Sequence, residues 1–325
     1  MVPFTYRATQ SEQEAIAGAL AGGRFIAGGT TLIDLMREEV ERPQRLIDIN
    51  RLPLRAIDVR SDRLVIGALA RMAEVARHPE TVRAQPLIVE ALLEGASPQL
   101  RNMASIGGNL LQRVRCPYFR AIDAACNKRV PGSGCSAIDG INGTQAILGT
   151  SDHCVATHPS DLAVALVALD TIVITRGPAG ERRFRVEELY RLPGDTPHLE
   201  HTLLPGELIV AVEVPHGRYA RRARYLKVRD RASYEFALTS AAVALDIEGG
   251  IIRTARIAAG GVGTKPWRMR ASEAVLVGQR PAAAAWARAA DRATEGARPL
   301  SGNGYKVPLL RQTIFHALET AGDIT

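Results

Sequence analysis

Four cysteines, Cys116, Cys126, Cys135 and Cys154, fall within 39 residues of a 325-residue chain that has no others. Thiolates bind zinc or iron–sulfur clusters, and paired thiols form disulfides. The gaps are nine, eight and eighteen residues with no C-x-x-C, so neither a zinc ribbon nor a thioredoxin motif fits. Spacing alone leaves two disulfides, a structural zinc, a cluster or four unrelated thiols open. Cys116 precedes Pro117, and Gly132-Ser133-Gly134 precedes Cys135. Cluster sulfurs accept backbone N–H bonds, which glycines leave accessible. Arg113, Arg115, Lys128 and Arg129 either offset the negative charge of a cluster or form a solvated basic face.

Two glycine turns form a second candidate site. Ala27-Gly28-Gly29-Thr30-Thr31 stands between an apolar stretch and a helical pattern. Glycine lets several backbone N–H groups approach a diphosphate, because it lacks Cβ and tolerates positive φ. A helix beginning there adds a favourable dipole, and Thr30 and Thr31 add hydroxyls. The pattern is neither G-x-G-x-x-G nor a Walker loop, so a Rossmann NAD site is not supported. One such turn is equally served by a plain strand-to-helix connection. The second, Ser105-Ile106-Gly107-Gly108-Asn109, shifts the balance: two turns in one domain could hold a dinucleotide's two phosphates from both sides.

The elements that must position these residues follow from local pattern. Ser11-Glu12-Gln13-Glu14 has the capping-box order, and Ala15, Ile16, Ala19 and Leu20 share one helical face that ends at Gly22-Gly23. Residues 24–27 read as a short buried strand, 32–40 as a helix stopped by Pro43, and 46–49 as a strand. The first fifty residues thus form an α/β unit centred on a glycine turn. Residues 55–59 and 64–67 read as a hairpin and 86–95 as a helix. Residues 113–154 lack periodicity, and a loop of that length is usually functional or disordered. Asp161 to Leu169 reads as an amphipathic helix and 171–175 as a strand. After a basic turn at 218–224 come strands 225–229, 237–247 and 251–260, then helices 271–279, 281–294 and 307–321.

Composition narrows the partners. The chain is 46% hydrophobic and 23% charged, as ordinary globular proteins are, and its length suggests two or three domains. No stretch approaches the roughly 18 apolar residues of a membrane span, so no membrane insertion is expected. The segment Met1–Arg7 lacks a basic region followed by an apolar one, so no signal peptide is expected. The net charge is +7, but the arginines are dispersed and aromatics are only 5%, too few for stacking platforms. No nucleic-acid partner is expected, and charge matching to an acidic protein subunit is preferred.

At these residues the sequence resembles the flavin subunits of the xanthine dehydrogenase family, the molybdenum hydroxylases. Phe25-Ile26-Ala27-Gly28-Gly29-Thr30-Thr31-Leu32 resembles their first FAD-diphosphate loop, and Leu100-Arg101-Asn102 through Ser105-Ile106-Gly107-Gly108-Asn109-Leu110 their second. His158-Pro159-Ser160-Asp161-Leu162 resembles the segment whose aspartate holds the flavin's sugar side. Leu203 through Ile209 resembles the segment beside the isoalloxazine, and Tyr225-Leu226-Lys227-Val228 the strand whose lysine lies near the ring. The cysteine loop, with Arg115-Cys116-Pro117-Tyr118-Phe119, Cys126-Asn127-Lys128-Arg129, Pro131-Gly132-Ser133-Gly134-Cys135 and Cys154-Val155-Ala156-Thr157-His158, is most similar to the branch of bacterial periplasmic aldehyde oxidoreductases.

The resemblance spans nearly the whole chain and implies an α+β fold. It implies a two-subdomain FAD-binding domain of the PCMH type over 1–220 (subdomains about 1–55 and 56–220), with an inserted iron–sulfur loop at 113–157. A smaller α+β C-terminal flavoprotein domain would follow over 221–325. It implies FAD contacts from Phe25, Ile26, Ala27, Gly28, Gly29, Thr30, Thr31, Leu32, Arg101, Ser105, Gly108, Asn109, Leu111, Asp161, Ile209 and Lys227. Cys116, Cys126, Cys135 and Cys154 would ligate a [4Fe–4S] cluster. The chain would be an electron-transfer subunit of an aldehyde-oxidising enzyme. A large subunit would carry the molybdenum cofactor, a small one [2Fe–2S] clusters, and an external acceptor would take the electrons. No catalytic acid or base is expected on this chain, because the cofactors carry the chemistry. Periplasmic residence by co-export with a signal-bearing partner is implied, with the cytoplasm as the alternative.

Two other functions compete. A stand-alone flavin oxidoreductase of the same fold would need its own acid or base and no cysteine loop. A zinc-bound interaction module would be colourless. Within the leading reading, Tyr234 either screens the flavin ring or is a core residue.

Overall fold

The computed structural model describes residues 1–324. Three sheets organise them. Strands β1 (Thr5–Ala8), β2 (Arg24–Ile26) and β3 (Arg45–Asp48) form a small parallel sheet of order β1-β3-β2. Strands β4 (Ile57–Val59), β5 (Arg63–Gly67), β6 (Ile172–Gly177), β7 (Gly180–Arg185) and β8 (Leu208–Pro215) form an antiparallel sheet of order β4-β5-β8-β6-β7. Strands β9 (Ala223–Val228), β10 (Thr239–Glu248), β11 (Ile251–Gly260) and β12 (Trp267–Arg268) form the last, of order β12-β11-β10-β9. This mixture of sheets and helices is the α+β class that the sequence implied.

The first unit forms as its pattern dictates. Ser11 caps the helix Glu12–Leu20 by accepting from Glu14 N–H at 3.2 Å. The reciprocal half of the expected capping box is displaced by one residue, because Glu14 accepts from Gln10 N–H rather than from Ser11. Strand β2 is shorter than expected and only its last residue, Ile26, is buried. The helix after the glycine turn spans Leu32–Arg37, not 32–40. Glu39 takes a left-handed φ of 60°, and Val40 N–H returns to Leu35 O, which closes the helix early.

The largest core lies between the five-stranded sheet and two helices, Pro86–Glu94 and Asp161–Ala168. All eight residues of Asp161–Ala168 are buried, which corrects the expected amphipathic helix. Its sequence after Asp161 is Leu-Ala-Val-Ala-Leu-Val-Ala, wholly apolar. It is covered by Pro86–Glu94 on one side and by β10 and β11 on the other. A second core fills the space between the last sheet and the helices Ala283–Arg292 and Lys306–Gly322.

Residues 113–157 contain one short helix, Pro117–Arg120, and isolated bridges that pair Cys126 with Cys135 and Ser151 with Cys154. A small apolar cluster anchors this loop: Leu35, from the helix after the first glycine turn, packs with Val114, Phe119, Cys126, Cys154 and Ala156. No helix among the described residues is long and apolar enough to cross a membrane.

Candidate flavin and cysteine sites

The two glycine turns abut. A Cβ built on Gly28 would lie 2.0 Å from Met103 O, so only glycine lets the first turn approach the segment leading into the second. Gly29 follows with φ of 71°, open to glycine at little cost. No backbone carbonyl among the described residues accepts from the N–H of Gly28, Gly29, Thr30 or Thr31, and Thr31 makes no side-chain cap. Those donors are what an anionic diphosphate requires. Phe25, Ala27 and Leu32 are half-buried beneath them beside buried Ile26.

The second turn is built differently. Ile106 and Gly107 donate to Ala70 O and Ala68 O, and Gly108 N–H donates to Ser105 Oγ at 3.2 Å. Ser105 is therefore the cap of the short helix Ile106–Leu110, and Gly108 is the exposed residue of the turn. Asn109 Oδ1 accepts from Ser160 Oγ at 2.6 Å, and the same hydroxyl caps the helix Asp161–Ala168 by accepting from Ala163 N–H.

That contact brings the turn to Asp161. Lys227 Nζ lies 2.8 Å from Asp161 Oδ2, and Tyr225 Oη lies 2.6 Å from Oδ1. Burial pushes the Asp161 carboxyl up, against the pull of Lys227 and Tyr225. Burial, then Asp161, raises the Tyr225 phenol well above its usual range. Lys227 also donates to Glu94 O at 3.0 Å. Three further expected residues lie around it. Arg101 donates to the carbonyls of Leu93 and Gly95, at the end of the helix Pro86–Glu94. Ile209 is buried within β8. Leu111 lines a cleft partly open to solvent with His158, Tyr190, Lys128 and Glu200.

Two positioning residues carried no sequence signal. Asn50 Nδ2 donates to Ala27 O at 2.9 Å, and Arg71 Nη2 donates to Asn50 Oδ1 at 2.8 Å. Arg71 also donates to Met103 O. One side-chain pair thus ties the first glycine turn to the approach of the second.

All four cysteines line one small cavity, partly open to solvent. They are free thiols. The Cys126–Cys135 bridge is closed by Asn127 N–H to Gly134 O at 2.7 Å, by Gly134 N–H to Asn127 Oδ1, and by Cys126 N–H to Ser133 Oγ. Asn127 Nδ2 reaches His153 O and so ties in the Cys154 segment. Burial raises the Cys116 thiol, against hydrogen bonds from the Phe119 and Tyr118 N–H groups. Burial pushes Cys154 up to about 11, opposed by Lys128 and by Ala156 N–H. No three His, Cys, Asp or Glu residues among those described are grouped to hold a single ion.

The basic residues of the loop are not a solvated face. Arg113 pairs with Glu41 and Glu200, and Lys128 lies 2.8 Å from Glu200. Lys128 and Arg113 hold the Glu200 carboxyl below its usual range although burial alone would raise it. Arg129 donates to Tyr118 O and Phe119 O. Arg115 reaches Asp34 Oδ2 at 3.4 Å and stacks over Phe236. Tyr234 is exposed, with a left-handed φ of 52°, so it is not a core residue.

Residues 3–217 match the family model of the FAD-binding domain in molybdopterin dehydrogenase. The chain belongs to the FAD-binding subunits of the molybdenum hydroxylase family. Residues 224–321 match the CO dehydrogenase flavoprotein C-terminal domain. The chain is 45% identical over 325 residues to the aldehyde oxidoreductase FAD-binding subunit PaoB of Escherichia coli K12, covering 99% of each. It is 28% identical to the carbon monoxide dehydrogenase medium chain of Hydrogenophaga pseudoflava, over 99% of this chain and 98% of that one. A solved carbon monoxide dehydrogenase from Hydrogenophaga pseudoflava superposes with a TM-score of 0.77 at 25% identity, over 99% and 98% of the two chains. This flavoprotein is therefore an oxidoreductase subunit of the xanthine oxidase family. The open N–H groups of the Gly28 turn suit the FAD diphosphate.

Proposed function

We propose that the chain carries FAD and a [4Fe–4S] cluster as the electron-transfer subunit of a molybdenum-dependent aldehyde oxidoreductase. The observation that carries this reading is the convergence of Cys116, Cys126, Cys135 and Cys154 on one cavity. Four cysteine thiolates are the usual ligand set of such a cluster. The printed name of the PaoB relative supports an aldehyde substrate.

The chain's residues hold and insulate; they do not perform acid–base chemistry on the aldehyde. FAD, when bound, accepts electrons in pairs and can release them singly. The Gly28–Thr31 N–H groups would bind its diphosphate. Asp161, fixed by Lys227 and Tyr225, would take the sugar side. The cysteine loop is braced against the helix Leu32–Arg37 by Leu35, so the first glycine turn and the cysteine loop share one support. The partners are a large molybdenum-cofactor subunit, where water supplies the oxygen of the acid, and a small [2Fe–2S] subunit. An external acceptor takes the electrons. The relative named a medium chain is consistent with such an assembly. The complex resides in the periplasm, exported folded with a signal-bearing partner; spheroplast fractionation finding it only in the cytoplasm would refute that placement.

The deciding experiment is a visible spectrum of the purified complex together with iron, zinc and acid-labile sulfide analysis of this subunit. Flavin bands with broad brown absorbance and four irons are expected. Flavin with zinc, or flavin with no metal, would overturn the cluster.

A further inference from the structure

Gln145 is 1% exposed, and its Nε2 lies 3.6 Å from Cys116 Sγ. It is the one side-chain donor to a cysteine sulfur among the described residues. Its main chain is clamped from the C-terminal half of the molecule. Asn303 Nδ2, itself buried, donates to Gln145 O at 3.2 Å and to Ala146 O at 3.3 Å. Lys306 Nζ, fully buried at the start of the helix Lys306–Gly322, donates to Thr144 O at 2.8 Å and Gly261 O at 2.7 Å. Asn142 Oδ1 accepts from Gly302 N–H at 2.7 Å. Residues 142–146 are therefore held on both sides, and the Gln145 amide is presented to the sulfur by a rigid support.

We infer that Gln145 is a positioning residue that sets the redox potential of the cysteine-loop centre through its N–H bond to the Cys116 sulfur. This rests on the [4Fe–4S] reading. Adding an electron to a thiolate-ligated cluster increases negative charge on the sulfurs. An N–H pointed at one of them then bonds more strongly, so the reduced state is favoured and the potential rises. The effect is large where water cannot replace the lost donor, and Gln145 is shut from solvent. Partners outside the first ligand sphere tune metal sites in this way. The clamp of Asn303 and Lys306 makes the setting depend on the C-terminal domain, which contributes no ligand of its own.

The test uses the assembled complex with Gln145→Met, which keeps the shape and removes the donor, and Gln145→Glu, which replaces the donor by a carboxyl. EPR-monitored redox titration is combined with iron, sulfide and FAD content. Both variants are expected to retain iron and FAD, with the cluster midpoint shifted to lower potential in Gln145→Met and shifted less in Gln145→Glu, whose buried carboxyl stays protonated and can still donate. An unchanged midpoint in Gln145→Met with its iron retained overturns the inference. Loss of iron from both variants with FAD retained also overturns it, in favour of a purely structural role. Absence of iron from the unaltered complex would instead refute the underlying cluster reading.

Discussion

Lys227 Nζ and Asp161 Oδ2 lie 2.8 Å apart, both buried, where the helix Asp161–Ala168 meets the C-terminal sheet. The pair joins the two family-matched segments of the chain, and Tyr225 completes it by donating to the other carboxylate oxygen.

Removing one member of a buried pair strands the other charge, at a cost of about 3–5 kcal/mol. Asp161→Ala is therefore expected to destabilise the protein and to lower its FAD content. The double variant Asp161→Asn with Lys227→Met separates the two effects. Urea unfolding should show most of the stability restored, while flavin stoichiometry stays low. Full FAD occupancy in the double variant would make the pair purely structural.

Gly28→Ala probes the contact of the two turns. The new methyl would be driven into Met103 O, a backbone atom held also by Arg71. Overpacking of this kind costs about 1–3 kcal/mol. The expected outcome is a lower thermal midpoint and an FAD affinity reduced by at least about tenfold, which corresponds to about 1.4 kcal/mol. Arg71→Ala should weaken FAD in the same direction, because it frees Asn50 and with it Ala27 O. Fluorescence titration of the flavin-stripped protein measures both, and unaltered affinity in both would dissociate the turns from the diphosphate.

Both glycine turns, the cysteine window and the long helices were legible because local pattern produces them: glycine where the chain turns tightly, apolar periodicity where a face is buried; that the first turn leaves its N–H donors open while the second satisfies its own was not legible. What was not legible depends on tertiary contact. Strands β1 and β7 read as polar segments, Thr-Tyr-Arg-Ala and Gly-Glu-Arg-Arg-Phe-Arg, because both lie at sheet edges with little burial. Asn50 and Arg71 are ordinary surface types whose role appears only when their partners, distant in sequence, converge. Arg113, Arg115, Lys128 and Arg129 are not a solvated face because carboxylates and carbonyls supplied from elsewhere, including Glu41 and Glu200, engage them, which local sequence could not show.

The cysteine assignment has a direct mutational consequence. Cys126 is paired across the bridge with Cys135 and packs with Leu35 and Phe119. Cys126→Ser should abolish most of the iron and loosen the loop, seen as new protease cleavage within residues 113–157. Unreduced iron content would remove Cys126 from the ligand set.

His158 gives the pH dependence its sign. Burial pushes its imidazole down to about 3, from the ordinary 6.5, and the ring packs edge-on against Tyr190 at 4.5 Å. The folded state therefore resists protonation that the unfolded chain accepts. Its contribution is complete above about pH 6.5 and is lost as the pH falls from there towards about 3. One such group changes stability by at most about 1.4 kcal/mol per pH unit inside that window. His158→Phe keeps a ring against Tyr190 and cannot take up the proton. Urea midpoints measured from pH 7 to pH 4.5 should fall less steeply in this variant than in the parent protein. Parallel slopes would show that His158 remains neutral or charged alike in both states, and would shift the acid sensitivity to the carboxylates.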